Sequence, residues 1–296
     1  MSETLSRMAR KIRSAAELKQ VVRTMKTLAA VNIPIYERAV ASLAEYARTL
    51  ELGLIACCHD PSLAVAQTHK SQEPARNAVI VFGSDQGLVG DFNEKLAQFS
   101  KQAIDENKSV TIWPVGDRIC DELSKLKLLA QPALRVADSI SGINRVISQL
   151  LTNIDAAGGY DDLTIRILHN RPTQGRYFEQ VQSILLPIDA DWLAGLCGKP
   201  WPTRVIPEAF HPPEQTWSAL IREHLFVDLF RACAESLASE NLSRFASMQR
   251  AEKNIHELLD QMQFQFNQQR QNSIDEELFD VVVGAEAVAD RHVGKT

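Results

Sequence analysis

Glycine and proline are the residues that a long helix tolerates least, and their placement divides this 296-residue chain sharply. From Glu214 to Val283 there is neither, and from Met1 to Leu52 the one breaker is Pro34. The interval from Gly53 to Pro213 holds eleven of the 13 Gly and eleven of the 12 Pro, as many short elements joined by turns require. The pattern predicts a helix over residues 1–57, a compact body over 58–212 and a second helix over 213–290.

Apolar periodicity gives the same division. Ile33, Tyr36, Val40, Leu43, Ala47, Leu50 and Leu54 recur at alternating spacings of 3 and 4, which is a coiled-coil seam. Upstream, Leu5, Met8, Ile12, Ala15, Leu18, Val22 and Met25 continue it with one irregular step, read as a stutter. Near the other end, Met248, Ala251, Ile255, Leu258, Met262 and Phe266 form a seam, and Ile274, Leu278, Val281, Ala285 and Val288 form another. Two such stripes bury each other. Residues 1–56 carry +4 and residues 214–296 carry −6, which favours an antiparallel pair. A helix of about seventy residues is roughly 105 Å long, so the pair is expected to project beyond the body. Pro34 removes one helical bond and is expected to kink the first helix; the alternative is a helix ending at Asn32 and a new one starting at Pro34.

The body reads as alternating α/β. Ala78–Phe82 is a short apolar strand, Phe92–Asp105 a helix, Val110–Val115 a strand, Asp117–Leu126 and Ile140–Ile154 helices. Leu163–Leu168 and Phe178–Leu186 are strand-like and could form a hairpin through Asn170 to Gly175. The fold class is therefore α/β: a small Rossmann-like sheet, from about 76 to 188, with an antiparallel edge, joined to a long antiparallel coiled coil of the terminal helices.

Composition excludes several classes of protein. A net charge of −5 argues against a surface built for nucleic acid, and no apolar run approaches the roughly 18 residues that a membrane helix needs. The basic start MSETLSRMARKIRS lacks a signal-peptide core, so cytoplasmic residence without direct membrane insertion is expected. Five cysteines, Cys57, Cys58, Cys120, Cys197 and Cys233, contain no CxxC pair and are read as reduced and structural.

Each chemical motif has a plain structural reading beside a functional one. Ser84-Asp85-Gln86-Gly87-Leu88-Val89-Gly90 follows the first strand, where an α/β sheet would cradle a phosphate, but it lacks the spacing of either Gly-rich phosphate loop. A structural turn built on Ser84, Asp85, Gly87 and Gly90, with Asp85 or Asp91 capping the next helix, is the plainer reading. Cys57-Cys58-His59-Asp60 sets metal-ligand types side by side, but adjacent helical residues point about 100° apart, so a helix end is favoured over a metal site. No nucleophile, base or cofactor site is visible, and none is expected. Arg7, Arg10, Lys11, Arg13, Lys19, Arg23 and Lys26 form a basic stripe, either a solvated face or a surface for an acidic partner. Asn267-Gln268-Gln269-Arg270-Gln271-Asn272-Ser273 breaks the second seam, either to specify register or to offer donors to another chain.

Taken in order, these segments resemble the gamma-subunit family of F-type ATP synthases. The resemblance rests on Arg10-Lys11-Ile12-Arg13-Ser14 with Val22-Arg23-Thr24-Met25-Lys26-Thr27-Leu28-Ala29-Ala30, on the Ser84–Gly90 turn, and on Phe245-Ala246-Ser247-Met248. It rests further on Asn267 to Gln271 with Ser273-Ile274, and on Gly284-Ala285-Glu286-Ala287. The resemblance implies a non-catalytic rotor whose paired helices stand inside a ring of alternating alpha and beta subunits. It implies an α/β body near the epsilon subunit and the membrane c-ring, on the cytoplasmic face of a bacterial inner membrane.

By the same resemblance Met25, Arg270 and Gln271 meet the beta subunit. Val281, Val282, Ala285 and Val288 are expected to form an apolar bearing, which slides because it lacks directional contacts. The chain departs from the family at Val31-Asn32-Ile33-Pro34-Ile35, where basic residues are usual, and at Val89, where a Cys is usual. This divergence is compatible with an alternate, sodium-linked ATPase. The competing readings are a Rossmann-type nucleotide enzyme with helical extensions and a coiled-coil adaptor without rotary work.

Overall fold

The computed structural model describes residues 3–59, 76–104, 109–158, 163–173, 176–203, 205 and 212–293. In chain order these form α1 (Glu3–Cys58), β1 (Arg76–Phe82), α2 (Phe92–Ala103), β2 (Val110–Val115) and α3 (Asp117–Lys125), followed by α4 (Ile140–Ala156), β3 (Leu163–Thr173), β4 (Arg176–Leu186), α5 (Ala190–Cys197) and α6 (Pro213–Val293). Two compact units result, one of Met1–Thr27 with Ala246–Thr296, the other Leu28–Phe245. Both long helices contribute to both units, so the division falls within α1 and α6 and not at their ends.

Helix α1 runs unbroken through Pro34. The proline leaves the Ala30 carbonyl without its amide partner, and both residues are exposed, so water can take that partner's place. Downstream, Arg38 Nε donates to the Pro34 carbonyl at 3.0 Å. The alternative of two helices meeting at Pro34 does not occur.

The buried face of α1 follows a stricter repeat than the apolar residues alone suggest. Leu5, Met8, Ile12, Ala15, Lys19, Val22, Lys26 and Ala29 are buried or half-buried, and so are Ile33, Tyr36, Val40, Leu43, Ala47, Leu50, Leu54 and Cys57. Steps of 3 and 4 alternate throughout, so the expected stutter is absent. Leu18, assigned to the seam by its hydrophobicity, is 52% exposed. Lys19 and Lys26 take the seam positions instead, because a lysine buries its methylene stem while its ammonium reaches a polar group on the facing helix.

In the first unit those polar groups lie on α6. Lys19 Nζ is 3.2 Å from His256 Nδ1, and Lys26 donates to Glu252 in an ion pair. As α1 ascends from Lys19 to Lys26, α6 descends from His256 to Glu252, which makes the pair antiparallel. The facing stripe on α6 is Met248, Glu252, Ile255, Leu259, Met262 and Phe266, all buried or half-buried. Leu258, expected in this seam, is 44% exposed and Leu259 replaces it.

The second unit is built on a four-stranded sheet in the order β2-β1-β3-β4. Strand β1 is parallel to β2 and β3, and β4 is antiparallel to β3, as the alternating α/β reading requires. On one face Ala78, Ile80 and Phe82 of β1 pack with Ile143, Ile147 and Leu150 of α4 and with Leu225, Leu229 and Leu237 of α6. On the other, Val79 and Val81 pack with Leu96 of α2 and with Ile119 and Leu123 of α3. A fully buried Leu or Ile stabilises by about 1.5–3 kcal/mol, so both faces contribute to holding the sheet.

The β3–β4 hairpin is longer than expected. The ladder runs to Thr173↔Arg176, beyond Leu168, because cross-strand polar pairs continue it: Gln180 Nε2 donates to Asn170 Oδ1 at 3.0 Å and Arg171 pairs with Glu179 at 2.5 Å. Helix α5 had no counterpart in the sequence reading. Asp189 caps it by accepting from the amides of Asp191 and Trp192 at 2.9 and 3.3 Å.

Helix α5 also corrects the expectation of uniformly reduced cysteines. Cys197 at its end is joined to Cys58 at the end of α1 by a disulfide, with Cα atoms 5.3 Å apart. The 139-residue separation in sequence carried no signal of this proximity.

A hydrogen bond from Lys26 holds the Glu252 carboxyl below the usual carboxylate range. The folded value is therefore lower than the unfolded one. The pair's contribution to stability is complete above about pH 4.3 and is lost as pH falls through the lowered value. Glu252→Gln should melt below the parent protein at pH 7, and the gap should close on acidification. Melting curves from pH 7 to pH 3 whose gap stays constant would show that the pair is not what holds this layer.

Candidate functional site

The turn after β1 is held by side chains that a phosphate loop would leave free. The Ser84 amide donates to Asn93 Oδ1 at 3.0 Å, Asn93 Nδ2 donates to Ser84 Oγ at 2.8 Å, and Ser84 Oγ donates to the Gln86 carbonyl at 3.0 Å. Asp85 does not cap α2. Its Oδ1 accepts from the Asp117 amide at the start of α3 (3.1 Å) and its Oδ2 from the Val136 amide (3.0 Å), tying three segments together. Asp91 stands at the N-cap of α2 but makes no side-chain cap bond; it pairs instead with Lys95 at 2.6 Å. Leu88 and Gly90 take positive φ of 64° and 62°, whereas Gly87 has open space around it.

Open α/β sheets bind ligands beyond the carboxyl ends of the strands where the strand order reverses. Here that place lies between β1 and β3, and α6 occupies it. Ser236 Oγ donates to the Phe82 carbonyl at 2.9 Å, Ser239 Oγ to the Asn170 carbonyl at 3.0 Å and Ser243 Oγ to the Val89 carbonyl at 2.5 Å. Glu235 pairs with His169 at 2.8 Å, and buried Glu240 pairs with Arg244 at 2.5 Å. Burial pushes the Glu240 carboxyl up, and Arg244 beside it pulls it back. The carbonyls of Phe82, Val89 and Asn170 meet this helix.

The other chemical candidates are accounted for locally. Cys58 is held in the disulfide, His59 Nδ1 lies 2.8 Å from the Ile55 carbonyl, and Asp60 lies outside the described residues. Burial pushes the Cys233 thiol up to about 12, which suits a core residue and not a nucleophile. An open groove of about 520 Å³ between α1, α4 and α6 is lined by Ile35, Ala39, Leu43 and Phe230. Its one phenol, Tyr46, donates to Glu223 at 2.5 Å and is raised to about 12 by that bond.

What remains is the first unit. Met25 is half-buried on α1, beside the seam, in line with exposed Leu18 and Val21 at steps of 4 and 3. The basic stripe divides: Lys19 and Lys26 bond across the seam, while Arg7, Arg10, Lys11, Arg13 and Arg23 stay exposed. Arg270 and Gln271 are exposed on α6, and Arg270 lies about 27 Å beyond Glu252 along the helix. The structure does not bring Met25 and Arg270 together.

With Lys26 opposite Glu252, α1 reaches its buried Leu5 opposite about residue 273 of α6, at the end of the polar break. Beyond it Ile274, Leu278 and Val281 of the expected seam are exposed, with Phe279 and Val282 beside them, Phe279 and Val281 by 67% and 72%. Ala285 and Val288 continue the same helix.

A family model described as ATP synthase matches residues 4–288. The chain is 25% identical to the ATP synthase gamma chain of Bdellovibrio bacteriovorus, over 94% of this chain and 96% of that one. It is 28% identical to the gamma chain of Flavobacterium psychrophilum, over 96% and 98%. Among solved structures, it superposes on a chain of the Euglena gracilis mitochondrial ATP synthase with a TM-score of 0.62 at 16% identity, covering 99% of this chain and 96% of that one. A chain of the Tetrahymena thermophila central stalk and c-ring gives 0.54 at 19% identity, over 78% and 99%. With the antiparallel helix pair and the mixed sheet already in view, the family match over almost the whole sequence is decisive: the chain belongs to the ATP synthase family, as a gamma subunit of the central stalk.

Proposed function

We propose that this subunit is a non-catalytic rotor whose helix pair turns inside a ring of alternating alpha and beta subunits. Its α/β unit then faces the epsilon subunit and the membrane c-ring. The carrying observation is that α6 outruns α1 and presents bare apolar residues from Ile274 to Val283. Side chains left uncovered by their own chain, on a helix that is otherwise paired, suit a bearing formed by other subunits. Among the described residues no helix is long and apolar enough to cross a membrane. The catalytic chemistry then lies on neighbouring chains, and the subunit sits at the cytoplasmic face of the inner membrane.

Coupling follows from asymmetry. An antiparallel pair has no threefold symmetry, so three surrounding beta subunits meet three different surfaces. Each subunit's open and closed states then bind the rotor with different free energy. By reciprocity, nucleotide binding biases the rotor angle as strongly as the angle biases nucleotide affinity. Met25 offers a compact apolar contact beside the seam. Arg270 and Gln271 offer directional donors at the level where α1 begins, and the valines beyond provide contact without direction, which permits sliding.

Arg270 is exposed, so Arg270→Ala should leave the fold intact and lower coupled ATP turnover of the assembled complex by about tenfold, equivalent to about 1.4 kcal/mol. Steady-state hydrolysis with simultaneous ion pumping checks this; unchanged values for both would remove Arg270 from the mechanism. For the bearing, Val281→Asp with Val282→Asp should reduce the rotation rate several-fold, whereas Val281→Ala with Val282→Ala should have little effect. Equal rates in the two double variants, measured by single-molecule rotation, would show that no apolar sleeve surrounds this segment.

A further inference from the structure

We propose that the segment of α6 from Ser236 to Arg244 is the torsional joint of the rotor, at which the angular setting of the helix on the sheet is fixed by directional hydrogen bonds and not by apolar contact. The inference rests on the rotor reading and extends it to the place where the α/β unit drives the helix.

Three observations carry it. First, Ser236, Ser239 and Ser243 are spaced by 3 and 4 residues and so share one face of the helix, and all three are buried. Second, their hydroxyls reach carbonyls on three separate pieces of chain: Phe82 at the end of β1, Asn170 in β3 and Val89 in the turn before α2. Asn170 is itself fixed, donating to the Phe92 carbonyl at 3.2 Å and accepting from Gln180. Third, the next side chain on that face, Glu240, is buried against Arg244, which adds a charged pair with a preferred geometry.

Apolar neighbours such as Leu229 and Leu237 keep nearly the same contacts when a helix rolls by a few degrees, because burial has no direction. Buried hydroxyl-to-carbonyl bonds weaken steeply off axis, and a carbonyl that loses its donor there finds no water. Three such bonds to three anchors resist rolling in both senses. Helix α6 continues without interruption from this face to Val293. The place that other open sheets give to a ligand is here the seat of a transmission element.

The test uses the assembled complex with its catalytic ring immobilised and a probe on Leu129→Cys, a fully exposed position of the α/β unit. The quantity read is the angular variance of the probe during catalytic pauses. Ser236→Ala, Ser239→Ala and Ser243→Ala together should raise that variance by about twofold, with ATP turnover unchanged. Ser239→Ala alone should raise it by a smaller, measurable amount and is examined in parallel in case the triple variant assembles poorly. Leu229→Met, which perturbs the same interface without touching a hydrogen bond, should leave the variance at the parent value. Serine variants with the parent's variance, or Leu229→Met softening the rotor equally, would overturn the joint. Absence of any rotation in the parent complex would instead reject the rotor reading.

Discussion

The antiparallel seam between α1 and α6 is the constraint on which the rest depends. Apolar residues alone would allow the two helices to slip by a heptad, because each new register buries a similar area. Lys19 and Lys26 remove that freedom. Both stand at seam positions, and each finds a polar group on the facing helix, His256 and Glu252, so a slipped register would separate both pairs.

A second constraint shapes the α/β unit. A sheet with parallel strands and a reversal of strand order presents unpaired groups beyond its strand ends, which water, a ligand or another part of the chain can satisfy. Here α6 meets them, with serines small enough to let the helix backbone come close. The turn at Ser84 to Gly90 is closed by Asn93 and by the bonds from Asp85 to α3 and Val136.

Much of this was legible in the sequence, and the misses share a cause. Breaker distribution gave the two helices, and strand-like runs gave all four strands. Hydrophobicity alone predicts Leu18 and Leu258 in the seam, whereas Lys19 and Leu259 occupy it. A lysine that buries its stem looks like a surface residue in any apolar tally. The hairpin was drawn too short because Asn170 and Arg171 look like turn residues until Gln180 and Glu179 are seen opposite them. Helix α5 and its disulfide depend on a contact between residues 58 and 197, which no local pattern encodes. The serine face of α6 was hidden for the same reason: its acceptors are main-chain carbonyls far away in sequence.

The central claim is that residues of α1 and α6 on either side of the seam belong to one rotating body. The most direct measurement joins Lys26→Cys to Glu252→Cys with a short bifunctional thiol reagent in the assembled complex and then follows coupled turnover. Efficient joining with turnover preserved is the expected result, since both ends of the link turn together. Failure of the two thiols to be bridged, or arrest of turnover once they are, would contradict it.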